Sequence, residues 1–302
     1  MVDKKFDSCT SFHIGSGAFL GRLVSLDEVI NEITTRHKYP EQVNSVIADC
    51  TALAVLLASS MKYDGLFTLQ TQTDGPVSMV VVDVTSDGKI RSYARYDNER
   101  ILRAQELRKV EGEIEPTPYL LGGGYLAFTI DQGEGKELYQ GIVDIQGKTL
   151  SEIALRYFKQ SEQIDTHIRL FTKCNKKGWE SAGMMIQKMP DNGGHDEENE
   201  SYEEAWNEAK VLMDSLKDEE VFDHDLNSEN LINRLYHANE LVISATKDYQ
   251  FACRCSRDKL LTTLRGFDQK EIDEMAEKNK INVTCHFCSE TYAFEKGELS
   301  KQ

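Results

Sequence analysis

The chain has 302 residues, 40% of them hydrophobic and 28% charged, enough for one large or two ordinary domains that need no staples to hold a core. The net charge is −16, and most of it sits between Asp191 and Glu229, where 15 acidic residues face only Lys210 and Lys217. That balance argues against a basic surface for a phosphate backbone. The absence of a run of about 18 apolar residues and of a basic-then-apolar leader argues against a membrane span and a signal peptide and predicts a cytoplasmic protein.

In chain order, the first 190 residues read as a mixed α/β domain with an antiparallel sheet. Leu26 to His37 has helical spacing, with Leu26, Val29, Ile30 and Ile33 on one side, and Tyr39-Pro40 ends it. Val43 to Met61 is apolar on most sides and alanine-rich, which predicts a buried helix. Strands follow at Leu66 to Gln72, Val77 to Val84 and Lys89 to Tyr96. They are joined by Asp74-Gly75-Pro76 and Asp87-Gly88, the chemistry of tight turns in a meander. Further strands are predicted at Tyr125 to Ile130, Leu138 to Ile145, Thr166 to Thr172 and Ala182 to Met189, with a helix around Leu150 to Gln160.

Asp191 to His195 reads as a break, and residues 191–245 as an acidic helical linker. Tyr202, Trp206, Ala209, Met213 and Leu216 step by four and three, one apolar stripe on an acidic helix. A shorter helix carries Leu231, Ile232, Leu235 and Tyr236. An acidic face repels itself and a stripe needs a partner surface, so this linker is expected to be docked and only marginally stable. Trp206 fits either an anchor against the core or a client contact.

Residues 246–302 form a small C-terminal unit, too short for a large core, of a size that commonly requires a metal. It holds Cys253-Arg254-Cys255 and Cys285-His286-Phe287-Cys288, two close pairs separated by residues that read as two helices. Ser256 caps the first, and Asp268 with Glu271 opens the second. Seven cysteines, an odd number with no leader, argue against a secreted disulfide framework. Four thiolates in two pairs match a closed tetrahedral Zn²⁺ site made by Cys253, Cys255, Cys285 and Cys288. His286 is not needed, because four sulfurs fill such a site. Zinc-bound sulfurs are thiolates, the form that oxidants attack, and oxidation would remove a metal worth roughly 10–16 kcal/mol to folding. A domain built this way should unfold when oxidised. Cys9, Cys50 and Cys174 read as ordinary residues, with Cys50 inside the buried helix.

These cysteines and the sequence around them resemble the 33 kDa chaperonin family of redox-regulated bacterial heat-shock holdases. The resemblance runs through Lys38-Tyr39-Pro40, Lys62-Tyr63-Asp64-Gly65, Gln72-Thr73-Asp74-Gly75-Pro76, Gly124-Tyr125, Tyr139-Gln140-Gly141, Ser161-Glu162-Gln163 and Gly183 to Pro190. It continues through Arg234-Leu235-Tyr236-His237, Phe251 and the cysteine set followed by Ser256-Arg257. The resemblance implies an α+β fold of core, linker and zinc domain, and a non-enzymatic chaperone acting in stress. Its reduced form would hold one Zn²⁺ and be inactive. Oxidation with mild unfolding would form Cys253–Cys255 and Cys285–Cys288 disulfides, release the metal and detach the linker. The active form would dimerise, bind unfolding clients without ATP and later pass them to ATP-dependent foldase chaperones. The negative charge could keep client-loaded protein soluble.

Two other classes compete. A zinc-bearing nucleic-acid binder predicts a basic zinc unit, but residues 246–302 carry as many acids as bases when histidine is counted neutral. A thiol oxidoreductase predicts a thioredoxin-like βαβ around the CxxC, and none is visible. Gly15-Ser16-Gly17 and Gly122-Gly123-Gly124 lack the strand–GxGxxG–helix setting of a phosphate loop, and no GxSxG or HExxH occurs.

Overall fold

The computed structural model describes residues 7–111, 116–133, 135–189 and 196–299. The break read at Asp191 to His195 lies outside them. The chain divides into two compact units, Met1–Phe251 and Ala252–Gln302.

The first unit opens with a hairpin, β1 (Ser8–Ile14) and β2 (Phe19–Leu26). Gly21 of β2 lies under the Phe12 ring, where a Cβ would come within 2.1 Å of it. The amphipathic α1 (Glu28–His37) buries Val29, Ile30 and Ile33, the face its spacing predicts. Next comes α2 (Glu41–Ser60), apolar nearly all round and buried from Val43 to Ala58 apart from Ser45 and Asp49. By length and composition α2 could cross a membrane. In this fold it is the central helix, packed into one core with side chains of two sheets, among them Val24, Leu26, Phe67, Val82 and Met185.

The predicted meander is β3 (Leu66–Thr73), β4 (Val77–Thr85) and β5 (Lys89–Tyr96), paired antiparallel. After α3 (Asn98–Glu111) and α4 (Pro116–Leu121), β6 (Gly124–Asp131) and β7 (Tyr139–Asp144) extend this sheet. Then α5 (Leu150–Tyr157) continues as a π turn over Phe158–Glu162, and the two last predicted strands appear as β8 (Thr166–Asn175) and β9 (Gly178–Lys188), which the structure pairs antiparallel. The acidic segment supplies α6 (Asp196–Asp214), α7 (Asp218–Val221) and α8 (Ser228–Tyr236), and the unit closes with β10 (Val242–Asp248) and β11 (Gln250–Phe251). One sheet runs β10-β1-β2-β9-β8, the other β11-β5-β4-β3-β6-β7. Because β10 pairs with β1 and β11 with β5, Thr246 to Phe251 belong to the first unit.

The second unit is small. It holds α9 (Arg257–Leu264), α10 (Gln269–Met275), an antiparallel hairpin of β12 (Lys280–Thr284) and β13 (Thr291–Glu295), and α11 (Lys296–Leu299). Ser256 accepts from the Lys259 N–H, and Asp268 and Glu271 cap α10 reciprocally, as their spacing predicts. Its buried core is Leu264, Ile272, Ile281, Phe294 and Leu299. That is a small core for a unit of this length, and domains of this size commonly draw on a metal for stability.

Candidate metal centre

The two cysteine pairs stand on the parts of the second unit best fixed by local chemistry. Cys253 and Cys255 occupy the irregular segment leading into the Ser256 cap of α9. Cys285 and Cys288 lie in the turn between β12 and β13. The strand ladder runs to Thr284 opposite Thr291, the Cys285 N–H donates to the Glu290 carbonyl at 2.9 Å, and the Ser289 N–H donates to the Cys285 carbonyl at 2.9 Å. Ser289 takes a left-handed φ of 57°, which closes this turn.

The result is one cluster. All four sulfurs lie within 4.8 Å of one another, with Cys253 to Cys285 at 3.7 Å and Cys255 to Cys288 at 3.4 Å. Ligands about 2.3 Å from a tetrahedral zinc are roughly 3.8 Å apart, so the donor set fits that ion in kind and in spacing. A disulfide bond is about 2.05 Å, so these are contacts between sulfurs. Every residue that the sequence assigns to the metal is in the cluster, and His286 is not.

The electrostatics suit a set of thiols competing for one charge. Burial raises Cys253, but the Cys255 N–H and the neighbouring sulfurs outweigh it and bring the thiol down to about 7. Burial pushes Cys255 up, and Cys288 is pushed strongly up by burial and by the sulfurs around it. A thiolate is favoured on Cys253 and disfavoured on Cys255 and Cys288, until a cation removes the repulsion. Tyr292, which sequence reasoning missed, brings its hydroxyl to 3.3 Å from the Cys255 sulfur. Its only signal is its place in β13, across the ladder from Val283. Elsewhere, Cys9 and Cys50 are buried thiols raised by that burial, and Cys174 is exposed.

In the first unit, the acidic segment covers one face of the sheet that α2 covers from the other side. Trp206, Ala209, Met213 and Leu216 are buried with Phe12, Phe19, Leu23, Phe171 and Met184. Trp206 meets Phe19 at 5.4 Å between ring centroids, and Tyr236 stacks on Phe12 at 5.6 Å. Trp206 is thus an anchor in this form. Arg169 of β8 donates to the carbonyls of Met213 and Asp214 at the C-terminus of α6 and of Leu216 just beyond it, at 3.0, 2.9 and 2.9 Å, which sets a cation at the negative dipole end of the helix. His167 approaches Asp214 at 2.8 Å, and Lys188 meets Glu203.

Comparison with known proteins agrees along nearly the whole chain. The family model described as "Hsp33 protein" matches residues 7–295. The 33 kDa chaperonin of Caulobacter vibrioides is 35% identical over 295 residues, 96% of this chain and 95% of that protein. The 33 kDa chaperonin of Ectopseudomonas mendocina is 33% identical over 93% of this chain and 90% of its own length. The crystal structure of the 33 kDa chaperonin from Thermotoga maritima shares the fold. It superposes with a TM-score of 0.79 over 97% of this chain and 96% of its own, at 20% identity.

Proposed function

The chain belongs to the Hsp33 family, and on that premise we propose that it is a redox-regulated, ATP-independent holdase chaperone rather than an enzyme. The observation that carries the reading is the cluster of four sulfurs within 4.8 Å in a unit whose hydrophobic core, among the described residues, is a small cluster around Phe294. Zinc held by Cys253, Cys255, Cys285 and Cys288 would supply the folding energy that this core lacks.

Oxidation then acts on the chain's own residues. Two thiolates give up two electrons as a sulfur–sulfur bond forms, and one peroxide takes those electrons with two protons to become two waters. Repeating this at both pairs, Cys253–Cys255 and Cys285–Cys288, destroys the donor set and the second unit unfolds. Residues 191–245 act as the linker of the switch. Its release uncovers the apolar stripe of α6 and the sheet face with Phe12, Phe19 and Phe171, which bind unfolding proteins. Dimerisation of the oxidised form, hand-over to ATP-dependent foldases and a cytoplasmic location complete the reading.

The test couples metal to activity. Reduced protein treated with peroxide at mildly raised temperature should release about one zinc per chain and gain suppression of client aggregation together, both reversed by a thiol reductant. Zinc release without any gain in suppression would sink the reading and leave the cysteines as a structural clip. The sulfur contacts described above run across the two pairs. Disulfide mapping by mass spectrometry therefore decides whether bonds form within each motif, as proposed, or between them.

A further inference from the structure

A second constellation of metal-ligating side chains lies in the first unit, far along the sequence from the cysteines. Asp27 at the start of α1, Glu180 of β9 and His224 in the turn after α7 place one ligand atom each within 4.8 Å of one another. His224 Nε2 is 2.7 Å from Glu180 Oε1. Glu180 is only 5% exposed. These three residues, with Ser25, Leu26, Val221 and Phe222, line a small cavity of about 10 Å³, the room that one small ion or water occupies.

Asp27 holds the N-cap position of α1, yet its side chain makes no capping bond. The caps come from elsewhere in the sequence: the Asp7 carboxylate accepts the N–H groups of Asp27, Glu28 and Val29 at 2.8, 3.1 and 3.1 Å. Asp27 is thereby released to face Glu180 and His224. Both carboxylates are fixed from behind by amides. Asn31 Nδ2 donates to Asp27 Oδ1 at 2.7 Å and Asn175 Nδ2 to Glu180 Oε2 at 2.9 Å. Outer hydrogen bonds of this kind orient ligands at metal sites. Two neighbouring carboxylates also repel each other. Burial, followed by the charge of Glu180, raises Asp27, with Lys177 and His224 opposing.

We propose that Asp27, Glu180 and His224 form a second divalent-cation site, for zinc or a similar first-row ion, that fastens the acidic segment to β9 and α1. Two carboxylates and one imidazole are ordinary donors for such ions, at about 2.0–2.2 Å from the metal. The protein supplies two ligands from the core and one from the acidic segment, so the site is complete only while that segment is docked. A cation there stabilises the docked form by mass action and is released when the segment leaves. This inference stands apart from the redox reading, because none of its donors is a cysteine.

The test uses reduced full-length protein with its cysteine-bound zinc in place. Titration with Zn²⁺ by calorimetry should show a further site of about one equivalent per chain. Asp27→Asn and Glu180→Gln should each abolish it while leaving the cysteine-bound zinc intact, and circular dichroism verifies that each variant is folded. Asn31→Ala and Asn175→Ala should weaken it about 10–100-fold. No further equivalent, or one that survives both carboxylate substitutions, overturns the proposal and leaves a histidine–carboxylate contact alone. Loss of the cysteine zinc in the starting protein would instead count against the redox reading, so the two fail separately.

Discussion

At the residue scale the cysteine cluster concentrates consequence in single atoms. Cys288 is the most buried of the four, at 6% exposure. Cys288→Ser removes one of the four donors of the proposed zinc site from a unit with a small apolar core. The variant should lose nearly all its zinc to a competing chelator that wild type resists, and should suppress aggregation without oxidant. Metal analysis and light scattering check this. Tyr292→Phe is subtler. The hydroxyl at 3.3 Å stabilises a thiolate on Cys255, and a net hydrogen bond of about 1 kcal/mol corresponds to roughly fivefold. Peroxide-driven zinc release should be several times faster in the variant, with unchanged stoichiometry. Asp49, on the central helix, shows the sign of a raised acid. Burial lifts its carboxyl to about 6, against the hydrogen bond from Thr172. A raised acid favours the folded state below its unfolded value near 3.8, and that contribution is lost as pH rises through 6. Asp49→Asn keeps an acceptor for Thr172 and carries no charge. It should therefore raise the melting temperature above pH 7, by on the order of 3 kcal/mol in stability, with the gain vanishing near pH 4.

At the scale of elements, the acidic segment is held by its apolar stripe, by polar contacts such as Lys188 with Glu203 and His167 with Asp214, and by Arg169 at the end of α6. Arg169 serves three carbonyls at the end of α6, so Arg169→Met leaves those acceptors to water and removes a cation from the negative end of the helix dipole. Limited proteolysis should cut α6 markedly faster in this variant, while cleavage in β3 to β5 stays unchanged. Equal protection of α6 would show that Arg169 adds nothing to what the stripe and the remaining polar contacts supply. The same elements show what a sequence discloses. The stripe of α6, the buried α2, the alternation of β3 and the caps at Ser256 and Asp268 are local patterns, and local pattern is what periodicity reads. Strands β1 and β10 were not legible. Val242 and most of β10 are exposed, so its strand state rests on pairing with β1 across more than two hundred residues, which no window detects. Asp7 capping α1 escaped for the same reason: spacing rules look for the cap at Asp27. The gathering of the four sulfurs was legible, because two close pairs at this spacing already point to one cluster. The hydroxyl of Tyr292 required the register of β12 on β13.

At the scale of the whole molecule, charge and hydrophobic burial act in opposition on one segment. Of the net −16, residues 191–229 contribute −13 and the remaining sequence only −3. Glu203, Glu204 and Glu208 stand near one another on α6, whose other side buries Trp206 and Met213. Compacting so many like charges raises the energy of the docked form relative to a released, extended one. The bases that offset it are few: Lys188 beside Glu203, Arg234 at 2.9 Å from Glu220, and Lys210 over the Trp206 ring. On the proposed switch, the segment stands between a docked and a released form, and that balance depends on ionic strength. The screening length falls from about 30 Å at 0.01 M salt to 10 Å at 0.1 M and 3 Å at 1 M. Screening among exposed carboxylates should relieve the repulsion, whereas the buried stripe is untouched. Raising sodium chloride from low to high concentration should therefore slow segment release in peroxide-treated protein. The readout is the red shift of Trp206 fluorescence, corrected for the second tryptophan with Trp179→Phe. Zinc release followed in the same samples separates the steps: salt should delay the tryptophan shift more than the metal loss. If both steps keep one rate at every salt concentration, self-repulsion plays no part in release, and the weakness of the segment must lie in its limited apolar contact alone.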